Sequence, residues 1–167
     1  MRKFALLLGS VLFFLVAPAT VAGYVPYWLT GFRFEPAWFP GARVFGAVLI
    51  AAGLIPTVES FIRFALKGLG TPAPILPPQR LVVSGFYRYV RNPMYVGVVA
   101  VIIGETLLFA RPSLAFYAAG VWLAYYLFVV LYEEPALRRK FGDDYATYCR
   151  HVGRWIPRLT PWRVAPP

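Results

Sequence analysis

The stretch Gly85–Gly97, "GFYRYVRNPMYVG", places three tyrosines (Tyr87, Tyr89, Tyr95) and two arginines (Arg88, Arg91) directly against a run of apolar residues. Asn92 suits the N-cap of a helix, and Pro93 suits its first turn, where a missing N–H costs nothing. The stretch therefore reads as the polar mouth of an apolar helix that begins at Pro93. Such a helix start offers free N–H groups and a positive dipole end, suited to a carboxylate or another electron-rich group. The tyrosines offer flat faces for stacking, and Gly97 permits a close approach of backbone or ligand. The competing reading is an interfacial belt of aromatic and basic residues at a membrane surface.

Outward from this stretch the chain is unusually apolar. Of its 167 residues, 59% are hydrophobic and only 14% charged, against about a quarter charged in soluble domains. Four apolar spans stand out, at about residues 4–29, 44–66, 93–110 and 112–132. Each approaches the roughly 20 residues that a helix needs to cross a bilayer core. Backbone groups there must satisfy one another, and helices do so. The predicted fold is all-α: an integral membrane bundle of four transmembrane helices in one domain (1–167), with a cytoplasmic C-terminal helical segment. The first span, after Arg2 and Lys3, also resembles a signal peptide with small residues near Ala22. Apolar residues continue past that point through "YVPYWL", which favours a spanning helix.

The net charge of +10 would point to nucleic acid in a soluble protein. Here the basic residues lie between apolar spans and read as topology and lipid contact instead. With a cytoplasmic N-terminus, fourteen of the 17 basic residues face the cytoplasm. Only Arg33, Arg43 and Arg111 face outward. Both termini are therefore expected on the cytoplasmic side, and so are the two long polar segments, 67–92 and 133–167. A single cysteine and a single histidine exclude an intrachain disulfide and a multi-cysteine metal site, so no metal is expected.

The segment 67–92 opens "KGLGTPAPILPPQR", which proline and glycine make an extended loop. The last segment reads as the fourth helix running on into the cytoplasm, a break at Gly142, and a short helix over Asp143–Arg150. Glu133 and Glu134, paired at the end of a span, are costly if buried and useful if they hold a ligand's hydroxyls or amino group. A solvated pair bridged to Arg138 is the alternative. Glu59 and Glu105 lie within spans. Glu59 has Arg63 four residues on, the spacing of a helical ion pair. Glu105 has no near partner in sequence, which makes it a candidate polar group on the acceptor side. The tail, with Tyr145, Tyr148, Arg150, Arg154 and Trp155, reads as a lid or as an interfacial segment bound to lipid.

Together, "PPQRLVVSGFYRYVRNPMYVG", two spans, and "EEPALRRKFGDDYATYCRHVGRWIP" resemble the isoprenylcysteine carboxyl methyltransferase family, which itself resembles phospholipid N-methyltransferases. The resemblance covers about residues 67–158. It implies a membrane enzyme that transfers a methyl group from S-adenosylmethionine to a small lipophilic acceptor: an isoprenoid thiol or acid, or a lipid amine. By position, the family's cofactor contacts fall on Gln79, Arg80, Leu81, Val82, Tyr87, Asn92, Pro93, Met94, Tyr95 and Glu133, with Glu134 completing the pair. Asn92, Arg91 and Glu105 are the candidate catalytic residues, and Arg154 helps to shape the site. Two departures are visible. Asn92 stands where the prenylcysteine enzymes have histidine, and an amide cannot titrate near neutral pH. Val129 stands where they have an arginine that holds the substrate carboxylate. The competing functions are an NADPH-dependent reductase of the membrane sterol type, using Arg80, Arg88 and Arg91, and a non-catalytic membrane binding protein.

Overall fold

The computed structural model describes residues 16–67 and 81–163. The described chain is helical and contains no strand; its one isolated bridge joins Val90 to Gly153. A π-helical turn, Thr20–Tyr24, leads into α1 (Val25–Thr30), with Pro26 in its first turn and Gly31 in the left-handed conformation at its end. α2 (Ala42–Lys67) runs unbroken through Pro56. A 3₁₀ turn, Gly85–Arg88, precedes α3 (Pro93–Phe109). α4 (Pro112–Phe128) passes through a π-helical turn, Val129–Glu133, into α5 (Glu134–His151). α5 kinks at Gly142, where φ is 49° and ψ is −122°. α2, α3 and the start of α4 lie close to the bounds expected of the second, third and fourth spans, and the break falls at Gly142.

Among the described residues, two helical stretches are long and apolar enough to cross a membrane, Ala42–Arg63 and the run from Pro112 through α4 into α5. α3 is apolar but shorter. Large apolar side chains lie on the outside, including Phe45, Val48, Phe116 and Leu123. Water would penalise such a surface and lipid would not.

Among the described helices, α2 and α3 make the most extensive contact, and glycines face each other along it. A methyl group added at Gly104 would stand 2.7 Å from the Gly46 carbonyl oxygen, and one at Gly46 would stand 2.6 Å from that of Gly104. One helical stretch further on, Gly97 meets Gly53 and Thr57 in the same way. Small residues let two backbones approach, which is how helices associate where no hydrophobic effect drives them together. On its other side α3 contributes Val98 and Ile102 to a cluster with Ala118 of α4, covered by Val21, Ala22 and Tyr125. The Tyr117 hydroxyl donates to the Val21 carbonyl at 2.8 Å and ties α4 to the first helical segment.

Glu59 and Arg63 do form an ion pair on α2. Glu59 Oε2 also lies 3.5 Å from the Phe86 amide, which brings the 3₁₀ turn against α2. Asn92 occupies the N-cap position of α3 but makes no capping hydrogen bond with its side chain. That expectation fails; the side-chain nitrogen of Asn92 instead donates across to the C-terminal segment, as described below. The predicted first span is described from residue 16 onward, and half of the predicted loop 67–92, including Gln79 and Arg80, lies outside the described residues.

Candidate active site

The mouth of α3, the π turn after α4 and the inner face of α5 enclose a cavity of about 670 Å³, part of it open to solvent. Leu81 and Val82 come from the loop, Tyr87 from the 3₁₀ turn, and Arg91, Asn92, Met94 and Tyr95 from the start of α3. Val129, Glu133 and Glu134 come from the π turn and the residue after it. The widened turn changes the angular spacing of side chains just where the two carboxylates emerge. They then serve different partners.

Glu134 is almost fully buried and is held by two arginines. Arg91 Nη1 donates to its Oε1 at 2.8 Å, and Arg154 donates through Nε at 2.7 Å and Nη2 at 2.9 Å. The predicted alternative partner, Arg138, instead lies over the Tyr145 ring, its guanidinium carbon 6.0 Å from the centroid. The carboxylate of Glu134 holds the Arg154 guanidinium above its ordinary pKa. Arg91 Nη1 also meets Cys149 Sγ at 2.9 Å. Glu133 has a different environment. Its Oε2 accepts the Tyr95 hydroxyl at 3.0 Å, and no ion pair neutralises it among the described residues. Tyr95 in turn packs against Tyr125 of α4, ring centroids 4.6 Å apart.

The segment after α5 closes over the mouth of α3. Arg91 N–H donates to the Gly153 carbonyl, Arg158 N–H to that of Tyr89, and Trp162 N–H to that of Arg88, each at 2.9 Å. The Asn92 amide donates to the Arg154 carbonyl at 3.1 Å. Asn92 thus fastens the covering strap to the helix it begins. Trp155 packs on Trp122 of α4, centroids 4.6 Å apart. The tail is therefore a cover, as one of its two readings expected.

Of the residues proposed from sequence, Leu81, Val82, Tyr87, Arg91, Asn92, Met94, Tyr95, Glu133 and Glu134 line one cavity. Pro93 is buried beneath it. Glu105 does not line it. It sits thirteen residues along α3 from Asn92, about 20 Å at 1.5 Å per residue, buried with its Oε2 unpartnered. Leu137, Tyr145 and Tyr148 also line the cavity and were not among the predicted site residues. Tyr145, Tyr148 and Val152 recur at helical spacing and form a buried cluster, a pattern available in the sequence. The Tyr148 hydroxyl donates to the Tyr87 carbonyl at 2.6 Å. Tyr87 is half-buried, with its hydroxyl enclosed against Ser60, and desolvation pushes its phenol well above the ordinary value, so it stays protonated.

Residues 42–144, well over half the chain, match the phospholipid methyltransferase family. The chain belongs to that family. Over 78 residues it is 30% identical to protein-S-isoprenylcysteine O-methyltransferase B of Arabidopsis thaliana, a match covering 47% of this chain and 40% of that protein. The chain thus spans well under half the length of the curated relative it matches. No solved structure matches. The cavity lies where the two polar segments of the chain converge.

Proposed function

We propose that the protein transfers a methyl group from S-adenosylmethionine to a small lipophilic acceptor at the cytoplasmic face of a membrane that it spans four times, with both termini cytoplasmic. One observation carries the reading. The two segments singled out by sequence, about 40 residues apart, build opposite walls of a single cavity.

The donor set suits the cofactor. Glu133 is an acidic group without a cation, beside a tyrosine hydroxyl, which fits the ammonium of an amino acid moiety. Tyr87, Tyr95 and Met94 supply aromatic and apolar surface for the rest. S-adenosylmethionine, when bound, supplies a methyl group on a sulfonium. The chain's own contribution is alignment and removal of water. Leu81, Val82, Val129 and Leu137 dry the cavity. Tyr95 orients the Glu133 carboxylate. Asn92 cannot act as a base, and its amide is engaged in holding the strap.

The arginines bear on the acceptor. Arg91 and Arg154 are both committed to Glu134, and Val129 is apolar and buried. Within the lining residues no free cation remains for a substrate carboxylate. Among the acceptor classes that the resemblance implies, a thiol or a lipid amine therefore fits better than an acid. The same pairing, with Arg88 Nε on the Trp162 carbonyl at 2.7 Å, engages two of the three arginines, Arg88 and Arg91, that a reductase would turn to the 2′-phosphate of NADPH.

The test is calorimetric titration of the purified protein in detergent with S-adenosylmethionine, its demethylated product and NADPH, repeated with Glu133→Ala. Saturable binding of the sulfonium compound, lost in the variant, is expected. Binding of NADPH alone would overturn the assignment.

A further inference from the structure

The strap that covers the cavity has an outer side. Ile156 and Leu159 lie on it, 82% and 100% exposed, although the backbone around them is tied to the loop below by the Arg158 and Trp162 amides. Two bare aliphatic side chains on a fixed backbone are unfavourable in water. Their neighbour, Trp155, packs on Trp122 and Tyr126 of α4. Trp122 stands eleven residues before Glu133, about 16 Å toward the middle of α4. The strap therefore does not float above the helix ends but descends along the flank of a helix whose outward side chains, Leu123 and Leu127, are apolar and exposed. The charge agrees: from Tyr145 to the last residue the chain carries four arginines, Arg150, Arg154, Arg158 and Arg163, and no acidic residue. Arg163 is exposed at the end of the described strap.

We infer that the strap is an interfacial wedge, with Ile156 and Leu159 seated in the acyl region of the cytoplasmic leaflet and its arginines at the level of anionic headgroups. Apolar side chains beside basic ones are the composition of segments that lie in this zone. The inference rests on the membrane-spanning reading and extends it to a segment with no spanning character. It means that the cover of the cavity is anchored on one side by Asn92 and Glu134 and on the other by lipid. The bilayer thereby helps to hold the site closed.

The experiment places a fluorophore on single cysteines at Ile156, Leu159, Phe116 and Asp143, in a Cys149→Ser background whose fold is checked by circular dichroism. The full chain is reconstituted in vesicles of phosphatidylcholine and phosphatidylglycerol. Phe116 is the exposed mid-helix reference on α4, and Asp143 the exposed reference on α5. Quenching by nitroxide-bearing lipid is compared with quenching by aqueous iodide. Labels at Ile156 and Leu159 are expected to follow Phe116, with lipid quenching several-fold above that at Asp143. If they follow Asp143 while Phe116 remains lipid-quenched, the wedge is refuted and the spanning reading stands. If Phe116 is itself quenched by iodide, the spanning reading falls and takes the wedge with it.

Discussion

Truncating Glu134 tests the logic of the site most directly. In the folded protein its carboxylate neutralises two guanidinium groups that differ in exposure. The Arg91 side chain retains 11% of its surface, and that of Arg154 retains 31%. Glu134→Ala leaves Arg154 free to turn toward water, a loss on the scale of a partly exposed pair, below about 1 kcal/mol. Arg91 has no such escape. Without Glu134 its guanidinium keeps the Cys149 sulfur and the Tyr145 hydroxyl, and its Nε already lacks a partner. An uncompensated buried charge costs about 3–5 kcal/mol, so this one residue dominates the effect. Reversible unfolding in mixed micelles, followed by tryptophan fluorescence, measures it. Glu134→Ala should cost about 3–5 kcal/mol and Arg154→Ala about 1 kcal/mol or less. Replacing both buried partners, Arg91→Leu with Glu134→Leu, should recover most of the loss, since apolar pairs of similar volume often substitute without penalty. A cost below about 1 kcal/mol for Glu134→Ala would refute the claim that Arg91 depends on it.

Further outcomes follow from the same geometry. Tyr95→Phe removes one hydrogen bond to Glu133 and should weaken S-adenosylmethionine binding by roughly five-fold, about 1 kcal/mol, with unfolding little changed; titration calorimetry and the same unfolding assay check the two effects. Gly104→Ala would press a methyl on the Gly46 carbonyl oxygen and the Ile50 amide. It should destabilise the α2–α3 pair by about 1–3 kcal/mol, whereas Gly120→Ala, in open space on α4, should be neutral or better in the same unfolding assay. Tyr87 contributes to alkaline sensitivity. Its phenol is raised in the folded state, so the unfolded chain releases that proton first, near pH 10. Stability from this group is complete below about pH 10 and falls as pH rises further. Tyr87→Phe should flatten that part of the unfolding profile.

The amino-acid sequence by itself determined the helices and their ends. Apolar runs of spanning length, Pro93 and Pro112 at helix starts, Gly142 at a kink and the Glu59–Arg63 spacing are local signals, and local physics decides them. It also marked both polar segments of the site, because tyrosine, arginine and paired glutamate are conspicuous beside apolar spans. What it left open was which charge meets which. Glu133 and Glu134 are adjacent in the chain and equivalent in composition. The π turn and the fold of α5 over α3 give one of them two arginines and the other a tyrosine. Arg138 was the near partner in sequence; Arg91 and Arg154 are the near partners in space, 43 and 20 residues away. Asn92 carried the sequence pattern of a helix cap, yet its amide holds the strap. Glu105 suggested a site residue by its chemistry, and the length of α3 sets it far from the cavity. Periodicity and composition act within one element, while ion pairing and cavity walls depend on how elements pack, and that only the tertiary structure decides.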